Sequence, residues 1–139
     1  NHHEIRTIIN HLTENTKSYQ LIKSVLENNS KAVYQGKIFV NPNAQKTDGY
    51  QLSKAILLNK DAEFNAKPEL EIYADDVKCS HGSASGNLNE NSIFYLMSRG
   101  LSYQQSRELL INGFLLDVVE KITDPEVKNL IKNMIGIKE

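Results

Sequence analysis

At 139 residues the chain has the size of one domain, enough to bury about two-thirds of its unfolded surface. Its 16 basic and 17 acidic residues leave a formal charge of −1, and from Asn89 onward six Lys/Arg meet seven Asp/Glu, which argues against a nucleic-acid or acidic-membrane footprint. One cysteine excludes an intrachain disulfide and fits a reducing, cytoplasmic setting; no apolar run approaches the ~20 residues of a spanning helix, and no signal-peptide pattern is present.

The chain opens at Asn1 without a Met, so we expect a cut inside a longer protein, and His2, His3 and His11 lie too close to that end to be given a role. The first clear signal is an internal repeat. Thr16-x-x-Tyr19-Gln20-Leu21-x-Lys23-x-Val25-Leu26-x-Asn28 recurs 31 residues later as Thr47-x-x-Tyr50-Gln51-Leu52-x-Lys54-x-Ile56-Leu57-x-Asn59, with seven of thirteen positions identical. A fixed period of this length points to stacked supersecondary units, none able to bury its apolar face alone.

The unit reads as short strands: Val33-Tyr34, Ile38-Phe39-Val40, Ile56-Leu57-Leu58 and Leu70-Glu71-Ile72-Tyr73. Turn residues separate them at Glu27-Asn28-Asn29-Ser30, Asn41-Pro42-Asn43, Asp48-Gly49 and Asn59-Lys60-Asp61. Short strands on a repeating period without helical crossovers suit a β-solenoid whose coils stack ~4.8 Å apart. A sandwich is the rival, and it would not need a sequence repeat.

After Gly86 the period changes. Asn89 is placed to cap a helix through Ile93, Phe94, Leu96 and Met97 that stops at Gly100. Ser102 and Gln105 form a capping box for a second helix, with Leu110, Phe114, Val118 and Ile122 on one face. Asp124 caps a third, with Pro125 at its first position, Val127, Leu130, Ile131 and Met134 as its stripe, and Gly136 at its end. The expected division is a β core over residues 1–87 and a helical domain over 88–139.

Chemistry concentrates in Tyr73–Gly86, which holds Cys79, His81 and the adjacent Asp75 and Asp76. In a strand, Cys79 and His81 share a face about 7 Å apart, close enough to bridge a metal or to pair thiolate with imidazolium. The bland reading, a buried thiol and a hydrogen-bonded imidazole, stays open beside it. Two such ligands cannot close a four-ligand site, so metal chemistry here needs a partner chain. Asp75 and Asp76 point to opposite faces of a strand and read as turn or rim residues. No hydrolase, metalloprotease or phosphate-loop motif is present, and a non-enzymatic role is expected. On the second helix, Leu109, Ile111, Leu115 and Val119 flank the main stripe; packing on the end of the β core would absorb them, or they form a docking surface for a partner protein, and Phe94-Tyr95-Leu96 with Arg99 has the make-up of interface anchors.

Several runs then carry a resemblance: Lys31–Ile38 (KAVYQGKI), Ala44–Gln51 (AQKTDGYQ), Lys67–Gly82 (KPELEIYADDVKCSHG) and Phe94–Gly100 (FYLMSRG). Taken in order through nearly the whole chain, they resemble the SufB/SufD family, most closely its SufD branch. The lone cysteine favours that branch. The resemblance implies a right-handed parallel β-helix followed by a small helical domain, in the C-terminal portion of a longer protein. It implies a scaffold that pairs with a SufB-like subunit through the β-helix and binds a SufC-like ATPase through the C-terminal helices, here Phe94, Tyr95, Arg99, Phe114 and Val118. It also implies that Cys79 and His81 serve a transient iron or iron–sulfur cluster completed at a subunit interface, with no tightly bound cofactor held by this chain alone. An isolated copy is expected to be able to form a homodimer. The family block usually continues H-G-A-T-x-G where this chain has His81-Gly-Ser-Ala-Ser-Gly86, and Ala is common where Gly49 stands; neither change removes a candidate ligand. A purely structural interaction module without metal or cluster is the alternative function. A polysaccharide-active β-helix is a third, and it would need a carboxylate cluster along the groove.

Overall fold

The computed structural model describes residues 1–137; Lys138 and Glu139, the last two residues of the expected helical domain, lie outside the described residues. Six strands come first: β1 (His2–His11), β2 (Lys17–Leu26), β3 (Lys31–Val40), β4 (Thr47–Leu57), β5 (Glu63–Ile72) and β6 (Val77–Gly86). Three helices follow: α1 (Glu90–Ser98), α2 (Tyr103–Val119) and α3 (Pro125–Met134). They form two compact units, Asn1–Gly86 and a second that begins at Asn87.

In the first unit the chain alternates between two three-stranded sheets, ordered β1-β3-β5 and β2-β4-β6, and every pairing is parallel. This arrangement fits a β-helix-like fold. The internal repeat is a register in space: Tyr19 lies against Tyr50, Gln20 against Gln51, Leu21 against Leu52 and Lys23 against Lys54. Identical residues stack because each occupies the same place on the pleat one turn later. The other sheet steps by 29 residues (His2 to Lys31) and then by 32 (Lys31 to Glu63), so no repeat shows there in the sequence.

Two expectations are corrected. The strands are ten or eleven residues long, not short, and Val33-Tyr34 and Ile38-Phe39-Val40 belong to one strand, β3. Asp48-Gly49 is not a turn but lies inside β4, paired on one side with Lys17 and Ser18 and on the other with Lys78 and Cys79. Ladder bonds to both neighbours outweigh the local Asp-Gly turn preference. The bend comes earlier and ends at Lys46, whose φ is +57°. Glu27–Ser30, Asn41–Asn43 and Asn59–Asp61 do fall between strands. Pro68 sits in β5, an edge strand, where a missing ladder donor is tolerated.

Between the sheets lie two apolar clusters with a polar centre. Ile38, Val40, Ala44 and Ala74 pack with Leu70, Val77 and Cys79; Leu26, Ala32 and Ala62 pack with Leu57 and Phe64. At the centre, Thr7 Oγ1 donates to Gln20 Oε1 (2.7 Å), and Gln51 Nε2 donates to the Gly36 carbonyl (3.0 Å). Tyr34, buried, completes the set through its hydroxyl. No buried side-chain nitrogen or oxygen among the described residues lacks a partner, so the network avoids the desolvation cost of unmade bonds.

The helix ends match the residues read for them. Asn89 accepts from the Ser92 amide, Ser102 and Gln105 cap reciprocally, and Asp124 accepts from the Glu126 and Val127 amides ahead of Pro125 at the first turn. Gly100 and Gly136 take positive φ after α1 and α3, where a side chain would be strained. The expected stripe of α2 is not its buried face. Leu110, Phe114 and Val118 are half-buried, Ser106 and Val119 are the buried residues, and Ile122 lies past the helix end. With apolar residues on nearly every side of α2, four-residue spacing does not single out one face.

Candidate functional site

Cys79 and His81 alternate along β6 and face the same way, as their spacing predicts. Their β4 partners, Gly49 and Gln51, are both buried, which puts the pair on the row that faces between the sheets. The two side chains nevertheless differ. Cys79 is half-buried against the Ile38–Val40 cluster, whereas His81 is exposed on β6, the outer strand of its sheet among the described residues. Burial pushes the Cys79 thiol up, a hydrogen bond with the Gly49 backbone pulls it back, and the Asp48 charge adds to the upward shift.

The glycine of the K-C-S-H-G block also has a local cause. A Cβ on Gly82 would stand 3.0 Å from the Tyr50 hydroxyl and 3.2 Å from Leu52 Cδ1. An alanine there would crowd the end of the Tyr50 side chain, whose ring stacks on Tyr19 at 5.8 Å, and the neighbours would have to give by a few tenths of an ångström. Asp75 and Asp76 are exposed in the bend before β6. Asp76 takes part through its backbone, its amide donating to Gln45 Oε1 (2.9 Å) and its carbonyl accepting from the Lys46 amide (2.6 Å). They are turn residues.

His11 is what the sequence reading passed over. It ends β1 and is only 3 % exposed, with Nδ1 2.7 Å from Thr16 Oγ1 and Nε2 2.8 Å from Ser18 Oγ. Burial lowers its pKa below the ordinary histidine value. No local motif links His11 to Cys79; only the alternation between sheets brings β1 near the β4–β6 ladder. His2 and His3 are exposed on β1. Among the described residues no three His, Cys, Asp or Glu side chains gather in a group able to hold a metal ion.

On the helices, Phe94 is 76 % exposed, and Arg99 stands 5.4 Å from the Tyr95 ring centre while donating to the Tyr95 hydroxyl (3.2 Å). A groove of about 450 Å³ runs beside Tyr95, between Asn89, Ser92 and Leu96 of the α1 segment and Leu109 and Leu110 of α2. Phe114 and Val118 are half-buried on α2, not part of the groove lining. No helix among the described residues is long and apolar enough to cross a membrane.

Two parallel three-stranded sheets with Cys79 and His81 on an outer strand, together with three capped helices, define a parallel-β protein with a helical unit. Residues 1–114 match the family described as "SUF system FeS cluster assembly, SufBD core domain". The chain belongs to the SufB/SufD family and is most like SufD. It is 39% identical over 133 residues to the iron–sulfur cluster assembly protein SufD of Escherichia coli (strain K12), covering 96% of this chain and 31% of that protein. It is 40% identical over 119 residues to the chloroplastic protein ABCI7 of Arabidopsis thaliana, covering 85% of this chain and 25% of that protein. A SufBD family protein of Synechocystis, slr0076, is 36% identical over 119 residues, covering 86% of this chain and 26% of the relative. The chain thus spans about a quarter to a third of the length of these three relatives.

Proposed function

We propose that this chain acts in iron–sulfur cluster assembly as a non-catalytic scaffold, its first unit forming turns of a right-handed parallel β-helix. The free edge of β6 pairs with a SufB-like subunit, and the helical unit binds a SufC-like ATPase. The reading rests on one observation above the others: His81, on the row facing between the sheets, is left exposed at the sheet's last strand. A second chain closing on that edge would bring its own ligands to the imidazole, which answers the shortage of ligands within this chain. The β6 edge carries Ser80, Gly82, Ser83, Ala84, Ser85 and Gly86, small side chains that leave room for another backbone.

Cys79 is assigned to the same interface with less reach, since it is half-buried and burial pushes its thiol pKa up. Phe94, Tyr95 and Arg99, with Phe114 and Val118, are assigned to the ATPase. The ATPase can transmit motion only if its nucleotide states contact that surface differently. The setting is cytoplasmic, and the iron or cluster is cargo.

Calorimetric titration with a purified SufC-like ATPase tests the docking surface. Binding that disappears when Asn89–Glu139 is deleted supports the assignment; binding retained without those residues removes it. Cluster assembly is tested separately. His81→Ala is expected to slow iron–sulfur reconstitution at least tenfold while leaving complex formation intact, with Cys79→Ala the milder of the two. A second reading draws on the packing of Cys79 in the apolar cluster: a structural module in which neither residue meets metal. Normal reconstitution by the Cys79→Ala, His81→Ala double variant would favour it.

A further inference from the structure

Lysines on the outer face of the β1-β3-β5 sheet are neutralised across the strands. Lys31 lies in register with Glu63 and pairs with it (2.9 Å), and Lys37 does the same with Glu69 (3.3 Å), with Glu71 as a second partner. Between these rows Arg6, Gln35 and Lys67 stand side by side across the three strands, and that row holds no carboxylate. Glu4 reaches in from the next row and accepts from Arg6 Nε (2.8 Å), which leaves the outer edge of the guanidinium to the solvent. Among the described residues the Gln35 and Lys67 side chains make no hydrogen bond or ion pair. A groove of about 520 Å³ opens over this row, with Ile8 and Lys37 also in its wall. A second groove, of about 370 Å³, shares Ile8 and Lys37 and runs on to Leu12 and Phe39. Ile8 and Leu12 are 65 % and 62 % exposed, so the basic end of the trough leads directly into uncovered apolar surface.

We propose that this trough docks an extended segment of a partner protein in which an acidic side chain is followed, at alternate positions, by apolar ones. The acid sits between Arg6 and Lys67, within reach of the Gln35 amide, as a charge-assisted acceptor. The apolar side chains lie against Ile8 and then against Leu12 and Phe39. Spacing supports the match: Arg6 and Ile8 are two residues apart on β1, about 6.6 Å, and an extended segment lying along the strand presents every second side chain at that same interval. Glu4, Glu69 and Glu71 along the rim repel a polyanion such as nucleic acid, whereas one carboxylate fits between the two cations. Both grooves are open along their length, so a small molecule would keep much of its surface in water, while an extended segment spans the two together. This face belongs to the sheet that carries neither Cys79 nor His81, and the inference rests on neither the β6 edge nor the helices.

The test is fluorescence anisotropy of a fluorescein-labelled peptide, Ser-Glu-Ser-Leu-Ser-Leu-Ser, titrated with the full chain. The same peptide in reverse order covers the opposite chain direction, and one with lysine in place of the glutamate is the control. The expected result is a saturable rise with one of the two orders, weakening as salt is raised from about 0.05 to 0.3 M. Affinity should fall at least tenfold in Lys67→Glu and in Ile8→Ser, whose side chains are both exposed, so that the thermal midpoint of each variant stays unchanged. Lack of saturable binding by either order overturns the proposal. So does equal binding of the lysine control, unchanged affinity in Lys67→Glu, or binding lost in His81→Ala but kept in Lys67→Glu, which would move the peptide to the β6 edge.

Discussion

Gly36 looks in the sequence like a break between two apolar runs, yet it holds the middle of β3 together with the polar centre. A Cβ there would collide with Gln51 Oε1 and with the Tyr34 hydroxyl, both buried, and Gln51 also bonds to the Gly36 carbonyl. Gly36→Ala should therefore cost roughly 1–3 kcal/mol, the usual range for overpacking a filled interior, seen as a lower urea midpoint with unchanged slope. An unchanged midpoint would mean the interior yields more easily than its hydrogen bonds imply. Lys46 presents the opposite case, a side chain at φ +57° where Asn15 and Asn28 occupy similar positive-φ positions. Lys46→Asn should gain about 0.5 kcal/mol, because asparagine tolerates the left-handed region better. His11 is predicted to make stability pH-dependent. Its folded pKa lies below the unfolded value of 6.5, so its contribution is complete above that pH and is lost as pH falls below it towards the folded value. Denaturant midpoints from pH 8 to pH 5 should fall less steeply in His11→Asn than in the unmodified chain. Equal slopes would exclude His11 as the source.

Each helix carries its start signal in two or three adjacent residues, and for that reason helix starts were legible in advance. The Asn89, Ser102 and Asp124 caps depend only on local backbone geometry. Ser102→Ala removes one half of the capping box and leaves the Gln105 amide without its acceptor. We expect a loss of about 1 kcal/mol in the helical unit, measured as a lower midpoint of thermal unfolding followed at 222 nm. Strands behaved differently. Their true length was hidden because polar residues on alternate positions of β3, such as Gln35 and Lys37, broke the apolar runs. Lys37 faces outward to pair with Glu69 and Glu71 of β5, and this partnership across strands leaves no mark in local propensity. Asp48-Gly49 misled for the same reason: ladder partners on both sides, not the dipeptide, decide its conformation.

Every strand pairing in the first unit joins segments about thirty residues apart, with no hairpin between neighbours in sequence. Loop closure must precede contact at each step, so refolding of Asn1–Gly86 should be slow, in the millisecond-to-second range of non-local β topologies. Stopped-flow fluorescence of its tyrosines would measure this, and microsecond folding would contradict so non-local an order of assembly. At this scale the β2–β4 repeat, the change of period after Gly86, the helix caps and the shared face of Cys79 and His81 were all readable from the residues alone. Each depends on spacing along one segment, and pleat and helix geometry convert such spacing directly into faces and ends. The exposure of His81 beside the half-burial of Cys79 and the interior position of His11 were not readable. They arise where strands from different parts of the chain meet, and the register between those strands is set by packing in three dimensions, which no single segment encodes.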